Sequence, residues 1–213
     1  MRNPDVLSIA LSKFNMLHRL CIYCGSSSGS LPEFAKAAQD CAAQLAAKGI
    51  GLVYGGGNVG LMGLLADAVL AAGGEVIGVI PHHLADKELA HPGATEMHRV
   101  GSMHERKQRM ADLSDGFIVL PGGIGTLEEM FETLTWLQLG LHHKPIGLLN
   151  VAGFFTPLLA FLDSMVARRF LKQEHRDLLL VEEDIKTLLP RMTAFKAPDA
   201  NKWLDTVARD DLR

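Results

Sequence analysis

The chain has 213 residues, of which 48% are hydrophobic and 21% charged, and its formal net charge is -3. This length favours one domain over two, and the apolar fraction is large enough for a full core, which excludes a disordered chain. The slight acidic balance and the 6% of aromatic residues argue against a nucleic-acid-binding protein.

The first 18 residues are predicted to form an extension ahead of the domain. Charged residues and Pro4 interrupt this stretch, so it lacks the apolar centre of a signal peptide, and no segment has the ~18 unbroken apolar residues that span a bilayer. Three cysteines are too few for a disulfide scaffold and indicate a reducing compartment. We therefore expect a cytoplasmic protein with no membrane segment, one domain over residues 19–195 and a peripheral tail over residues 196–213.

Short apolar runs alternate with helix-length segments along the chain. Strands are expected at residues 20–24, 52–54, 75–80, 116–120, 145–149 and 178–181, and helices at residues 32–48, 61–72, 103–113, 126–139, 156–169 and 184–189. Residues 81–101 are expected to be irregular and to cover a site. The alternation predicts βαβ units and therefore a Rossmann-like, three-layer α/β fold with a central, mostly parallel sheet. Ligands of such sheets bind beyond the carboxyl ends of the strands.

A glycine-rich loop follows the second predicted strand and fits the G-x-G-x-x-G pattern of dinucleotide-binding proteins. Its glycines Gly55, Gly56 and Gly57 are candidates for a contact with phosphate or ribose, because glycine lets backbone N–H groups approach an anion. The pattern also requires an acidic residue at the end of the next strand, whereas Glu75 lies at its start. An NAD-type oxidoreductase and a tight turn needed only for packing both remain open.

The sharpest pattern spans residues 121–129, just after the fourth predicted strand, and reads Pro121, Gly122, Gly123, Ile124, Gly125, Thr126, Leu127, Glu128, Glu129. Its three glycines expose backbone N–H groups, and the helix that begins there favours an anion, so we expect a phosphate cradle. The structural alternative is a capping box formed by Thr126 and Glu129. Periodicity does not choose between Glu128 and Glu129 as the working carboxylate. Ser26, which follows the first strand, is a further candidate for ligand contact.

Two cations are expected to face inward on the helix predicted over residues 103–113. Arg106 and Lys107 lie three and four positions after Met103, within its apolar stripe. Inward cations need anionic partners, which a bound phosphate or the carboxylates after Thr126 would supply. Side chains that snorkel to the helix edge are the alternative.

The helix predicted over residues 126–139 is amphipathic, and its inward stripe is expected to consist of Leu127, Met130, Phe131, Leu134 and Leu137. Trp136 and Leu139 fall off this stripe, so we expect a homodimer surface there. The adjacent histidine pairs at residues 82–83 and 142–143 lack the spacing of metal ligands, and neither a metal nor a cofactor is expected. Cys21 and Cys24 lie within a strand and are expected to be buried structural thiols.

Four motifs occur in order along the chain: residues 24–27, residues 54–57 with 60–63, residues 103–107 and residues 121–129. Together they resemble the LOG (LONELY GUY) family of cytokinin riboside 5'-monophosphate phosphoribohydrolases, whose members have often been labelled lysine decarboxylases. The resemblance spans about residues 20–189. It implies a Rossmann-like fold, usually dimeric, that hydrolyses the N-glycosidic bond of a nucleoside 5'-monophosphate to a free base and ribose 5-phosphate.

The resemblance also assigns roles to individual residues. The family's catalytic arginine and glutamate fall on Arg106 and Glu129, and its substrate contacts fall on Arg106, Lys107, Gly122 through Glu128, Glu88 and Thr135. Plant members carry an aromatic residue where this chain has Ile124, which leaves open whether the base is a cytokinin or adenine. Two alternatives to the hydrolase remain: an NAD-type oxidoreductase and a non-catalytic nucleotide-binding module.

Overall fold

Residues 16–85 and 90–197 are described by the structure, which is a computed structural model. The expected N-terminal extension and C-terminal tail lie almost entirely outside these ranges, and so does Glu88. Within the described ranges, no helix is both long enough and apolar enough to cross a membrane.

The described residues form a seven-stranded sheet in the order β4-β3-β2-β1-β5-β6-β7, and neighbouring strands are parallel. The strands are β1 (Arg19–Tyr23), β2 (Gly51–Tyr54), β3 (Val76–Pro81), β4 (Glu96–Val100), β5 (Gly116–Val119), β6 (Ile146–Leu149) and β7 (Leu179–Glu182). The helices are α1 (Pro32–Ala47), α2 (Gly60–Ala71), α3 (His82–Ala85), α4 (Met103–Asp112), α5 (Ile124–Gln138), α6 (Thr156–Ala167), α7 (Gln173–Arg176) and α8 (Ile185–Ala194).

Helices cover both faces of the sheet, because successive side chains of a strand point to opposite faces. In β1, Leu20 and Ile22 join the core under α1, α2 and α8, whereas Cys21 and Tyr23 join the core under α4, α5 and α6. Strands buried on both faces read as continuous apolar runs, which is why most of them could be identified from the sequence. The predicted Rossmann-like, three-layer fold is confirmed.

The expectation that residues 81–101 are irregular is wrong. This stretch contains α3 and β4, which pairs with β3 from Ile77 opposite Glu96 to Pro81 opposite Val100. Strand β4 lies at the edge of the sheet and is largely solvent-accessible, so its sequence is mixed rather than apolar. Helix α7 was also not expected, and α8 continues past its predicted end because Met192 is buried beyond Pro190.

The inward stripe predicted for α5 is only partly correct. Met130 and Leu137 are buried as expected, but Leu127, Phe131 and Leu134 are half-buried. Two threonines, Thr126 and Thr133, occupy the remaining buried positions of the helix. The hydroxyl of Thr133 donates to the carbonyl of Glu129 at 2.8 Å, and that of Tyr23 donates to Thr133 Oγ1 at 3.0 Å. These bonds satisfy polar groups at positions for which an apolar pattern gives no signal.

The two tyrosines of the core differ in their hydrogen bonding, which predicts opposite effects of removing each hydroxyl. Tyr23 has the partner just described, whereas the hydroxyl of Tyr54 is buried without a partner among the described residues. We expect Tyr54→Phe to raise the free energy of unfolding by about 1 kcal/mol and Tyr23→Phe to lower it by about 1 kcal/mol. Urea denaturation of both variants measures this, and equal destabilisation by the two substitutions would contradict it.

Candidate functional site

The strand order reverses at β1, which has β2 on one side and β5 on the other. The loops that follow β1 and β5 pack against each other at this reversal, the place where open α/β sheets bind ligands. The amide of Gly25 donates to the carbonyl of Pro121 at 3.0 Å, and the amide of Leu61 donates to the carbonyl of Gly25 at 3.1 Å. A Cβ at Gly122 would lie 2.8 Å from the Gly25 nitrogen, so glycine is needed for this close approach.

Two adjoining cavities open at this edge and share Gly25, Ser26 and Gly123. The first has a volume of about 260 Å³ and contains the charged groups of Arg106, Glu128 and Glu129, together with Cys24, Met62, Met103, Ile124, Gly125 and Thr126. The second has a volume of about 220 Å³ and is mainly apolar, with walls that include Phe34, Leu61, Pro121 and Phe154. We call the first the polar cavity and the second the apolar cavity.

The N-terminus of α5 opens into the polar cavity. The helix begins at Ile124 with Gly123 as its N-cap, and no described side chain caps it. Ile124 is 83% exposed, and nothing lies within 4 Å of a Cβ built on Gly123 or Gly125. The first N–H groups of a helix have no intrahelical partner, so this turn presents donors and partial positive charge to a ligand. The capping-box alternative fails, because Thr126 lies inside the helix rather than at its cap.

Arg106 lies on the buried side of α4 and is only 6% exposed, which confirms its inward orientation. Its Nε donates to the carbonyl of Val79 at 3.1 Å and its Nη2 to the carbonyl of Gly55 at 3.0 Å. Its Nη1 lies 3.9 Å from Glu129 Oε1 and 3.8 Å from Met103 Sδ. A carbonyl within β3 and one just after β2 therefore orient the guanidinium toward the cavity.

The glycine-rich loop after β2 contributes to the site by holding Arg106 in place. Gly55, Gly56 and Gly57 are buried, and none of them lines either cavity. A Cβ at Gly55 would lie 2.1 Å from Arg106 Nη2, so glycine at this position makes room for the guanidinium. The loop thus contributes the carbonyl that holds Arg106, rather than the N–H groups expected to bind phosphate or ribose. Ser26, by contrast, lines both cavities.

Lys107 is buried beside α5 and is neutralised by two carboxylates. Its Nζ lies 2.5 Å from Glu128 Oε1 and 2.8 Å from Glu132 Oε2. Burial lowers the pKa of Lys107, but the hydrogen bonds with Glu128 and Glu132 outweigh this, so its pKa is raised and it stays charged. Glu132 was not singled out from the sequence. The available signal was its i+4 spacing from Glu128, which places both carboxylates on one side of α5.

The structure distinguishes the environments of Glu128 and Glu129, which helical periodicity alone could not do. The Glu129 side chain is 12% exposed and faces Arg106, whereas that of Glu128 is 50% exposed and pairs with Lys107. Thr135 lies elsewhere: it is exposed, its hydroxyl donates to the carbonyl of Phe131 at 2.7 Å, and it does not line the polar cavity. Leu127 is half-buried and packs against the core under α5.

The three cysteines, Cys21, Cys24 and Cys41, are buried free thiols. Burial raises the pKa of each of them, so they stay protonated at neutral pH. The expected burial of Cys21 and Cys24 is confirmed, but only Cys21 lies within β1. Cys24 follows the strand and contributes to the wall of the polar cavity.

Residues 62–192 match a protein family described as possible lysine decarboxylase. The cytokinin riboside 5'-monophosphate phosphoribohydrolase LOG5 of Arabidopsis thaliana is 46% identical over 190 residues, which cover 89% of this chain and 82% of that protein. The probable cytokinin riboside 5'-monophosphate phosphoribohydrolase LOGL9 of Oryza sativa subsp. japonica is 49% identical over 177 residues, which cover 83% and 78% respectively.

Two solved structures share the fold. One is the molybdenum cofactor binding protein of Rippkaea orientalis, with a TM-score of 0.62 and 21% identity over 83% of this chain and 95% of that one. The other is the molybdenum cofactor carrier protein of Chlamydomonas reinhardtii, with a TM-score of 0.62 and 20% identity over 83% and 98%. At this identity the likeness concerns the fold alone.

Proposed function

Because this chain belongs to the family that includes the LOG phosphoribohydrolases, we propose that it hydrolyses the N-glycosidic bond of adenosine 5'-monophosphates, including N6-modified ones. The products are a free base, cytokinin or adenine, and ribose 5-phosphate. One observation carries the proposal: a single cavity joins an uncapped helix N-terminus to a buried arginine and glutamate. The helix N-terminus is a site for an anion, and the glutamate is a carboxylate that can face a positively charged sugar.

We propose that the 5'-phosphate binds at the first turn of α5. The N–H groups of Ile124, Gly125 and Thr126 supply donors there, and the helix dipole adds favourable charge. Gly122 and Gly123 keep the approach free of side chains. Since Lys107 is paired with two carboxylates, it acts through Glu128 rather than on the phosphate itself.

Cleavage of the ribosyl–base bond develops positive charge on the sugar, as in glycoside hydrolysis. Glu129 stabilises this charge and accepts a proton from the attacking water. Arg106 keeps its proton, so it serves as a hydrogen-bond donor that orients Glu129 or the departing base rather than as an acid. Glu128, held by Lys107 at the cavity wall, is available to the ribose hydroxyls.

Substrate contacts at Glu88 and Thr135 remain proposals taken from the family. Lysine decarboxylation is not proposed, because Lys107, the lysine beside the cavity, is engaged by Glu128 and Glu132. We further propose that residues 19–195 form the catalytic unit and that the protein is cytoplasmic, which the free thiols of Cys21, Cys24 and Cys41 support.

The phosphate anchor is tested by comparing nucleotides with nucleosides. We expect AMP and an N6-modified AMP to release free base and ribose 5-phosphate, and the matching nucleosides to react at least about 100-fold more slowly in kcat/KM, because they lack the anchored anion. Chromatography of the released base measures both. Equal rates on nucleotide and nucleoside would contradict the anchor. Binding of AMP without base release would indicate a non-catalytic module, and a cofactor-dependent absorbance change would indicate an oxidoreductase.

A homodimer is the proposed assembly, because apolar side chains remain exposed on the side of the sheet that α5 and α6 cover. Leu139 is 63% exposed, Phe161 is 61% exposed and Phe170, just after α6, is 83% exposed. Trp136 is half-buried rather than fully exposed. Such a patch is typical of a protein–protein contact.

Light scattering during size-exclusion chromatography is expected to give a mass near twice the 23.1 kDa of the chain. Glu substitutions at Leu139 and Phe161 are expected to give the monomer mass, because burying a carboxylate in the contact is costly. Leu31→Glu is the control, since Leu31 is 43% exposed and lies before α1, away from the patch. A monomer mass for the unmodified protein would overturn this proposal.

A further inference from the structure

We propose that Met103 is an oxidation site through which peroxides switch off the catalytic centre; the inference rests on the proposed role of Arg106. Met103 is the first residue of α4, is half-buried and lines the polar cavity, so a small oxidant can reach its sulfur. The thioether lies 3.8 Å from Arg106 Nη1. This is the same nitrogen that faces Glu129 at 3.9 Å.

The oxidation state of the Met103 sulfur determines how strongly Met103 and Glu129 each interact with Arg106 Nη1. A thioether is a weak hydrogen-bond acceptor, so in the reduced protein it leaves Nη1 available to Glu129 or to the substrate. A peroxide, ROOH, converts the thioether to a sulfoxide. The O–O bond breaks, an S–O bond forms, the sulfur loses two electrons, and the peroxide is reduced to ROH.

The sulfoxide oxygen is a strong acceptor beside a buried cation. It forms a charge-assisted hydrogen bond with one of the two N–H groups of Arg106 Nη1, the nitrogen that also serves Glu129 and the substrate. Nε and Nη2 already donate to the carbonyls of Val79 and Gly55, so the guanidinium cannot turn to replace the N–H group that the sulfoxide takes. Oxidation therefore leaves one N–H group of Nη1 for Glu129 and the substrate together, where the reduced protein offers two.

Other oxidisable groups at the polar cavity are less suited to this role. Met62 also lines the cavity but is 7% exposed, whereas the sulfur of Met103 contacts Arg106 Nη1. The Cys24 thiol is 7% exposed, and burial raises its pKa, so it lacks the reactive thiolate. Met16 is 77% exposed and serves as a control for oxidation that has no effect on the site.

The experiment treats the full-length protein with hydrogen peroxide and follows base release from AMP together with the mass of each methionine peptide. We expect activity to fall at least about 10-fold in step with the gain of one oxygen at Met103. Incubation with methionine sulfoxide reductases A and B should restore it, while a thiol reductant alone should not. Oxidation of Met16 should have no effect on activity. A Met16→Leu variant, which cannot be oxidised at this position, should therefore be inactivated at the wild-type rate. Complete oxidation of Met103 with full activity would overturn the proposal.

Two substitutions at the site make the test independent of unrelated damage. Met103→Leu should retain most of its own starting activity under peroxide, and Met103→Gln, whose amide oxygen resembles the sulfoxide as an acceptor, should lose activity without peroxide. Inactivation of Met103→Leu at the wild-type rate would refute the proposal. The activity of the untreated protein tests the proposed function separately. Calorimetric binding of AMP, expected to weaken at least about 10-fold on oxidation, does not depend on turnover.

Discussion

Glu129→Gln is expected to lower kcat for base release at least about 100-fold, with a much smaller change in KM. The amide keeps the size of the carboxylate but carries no charge to stabilise the developing sugar cation and accepts no proton from water. The substitution is nearly isosteric at a side chain that is only 12% exposed, so the fold should be retained. Initial rates with AMP over a range of concentrations separate kcat from KM.

Glu128→Gln is the matched control for this prediction, because Glu128 adjoins Glu129 in sequence and lines the same cavity. Its half-exposed carboxylate is held by Lys107, so its loss should raise KM more than it lowers kcat. If Glu128→Gln abolished turnover and Glu129→Gln did not, the assignment of the two glutamates would be reversed.

Arg106→Lys is expected to match the effect of Glu129→Gln, although it keeps the positive charge. Lysine cannot reach two carbonyls and the cavity at once, because it lacks the planar fork of the guanidinium. The double variant should be little worse than either single variant, since the two groups work as a unit. Strictly additive losses would show that Arg106 and Glu129 act independently.

Gly60→Ala is expected to lower the free energy of unfolding by more than about 4 kcal/mol, or to prevent folding. Gly60 has a φ of 57°, and a Cβ there would lie 2.3 Å from the carbonyl carbon of Ser26. A side chain costs about 1–2 kcal/mol in this left-handed conformation, and the overlap with backbone atoms adds to it, because two loops would have to separate.

Gly73→Ala is the control, since Gly73 has a φ of 75° but nothing within 4 Å of its Cβ position. It should therefore show the conformational cost alone, about 1–2 kcal/mol. Urea denaturation of both variants measures the difference. Equal effects would mean that the loop containing Gly60 can move away from Ser26 at little cost, and that close packing is not why this glycine is needed.

The strands flanking the site were predictable because they are buried on both faces. Runs such as Leu52–Tyr54 and Phe117–Val119 are continuously apolar, and a glycine-rich loop or turn follows each. The inward orientation of Arg106 was also predictable from its spacing after Met103, since helical periodicity is local. Strand β4 was missed because an edge strand is solvated and needs no apolar run.

The sequence narrowed the partners of the charged groups to alternatives but could not choose among them, because the choice depends on how distant elements pack. A bound phosphate and the carboxylates after Thr126 were both expected as possible partners of Lys107, and the packing of α4 against α5 selects Glu128 and Glu132. Likewise, the G-x-G-x-x-G pattern marked Gly55 correctly as a position near the site. The pattern alone does not reveal that its carbonyl, rather than its N–H group, is used.

Arg106 and Glu129, the proposed catalytic pair, lie on opposite sides of β1 and are brought together by the two halves of the sheet. Arg106 donates to a carbonyl within β3 and to one just after β2, on one side of β1, while Glu129 lies on the helix that follows β5, on the other. A slight shear of one half against the other would change their 3.9 Å separation without breaking any hydrogen bond within either half. The hydrogen bonds of Lys107 with Glu128 and Glu132, which link α4 directly to α5, therefore help to hold this distance.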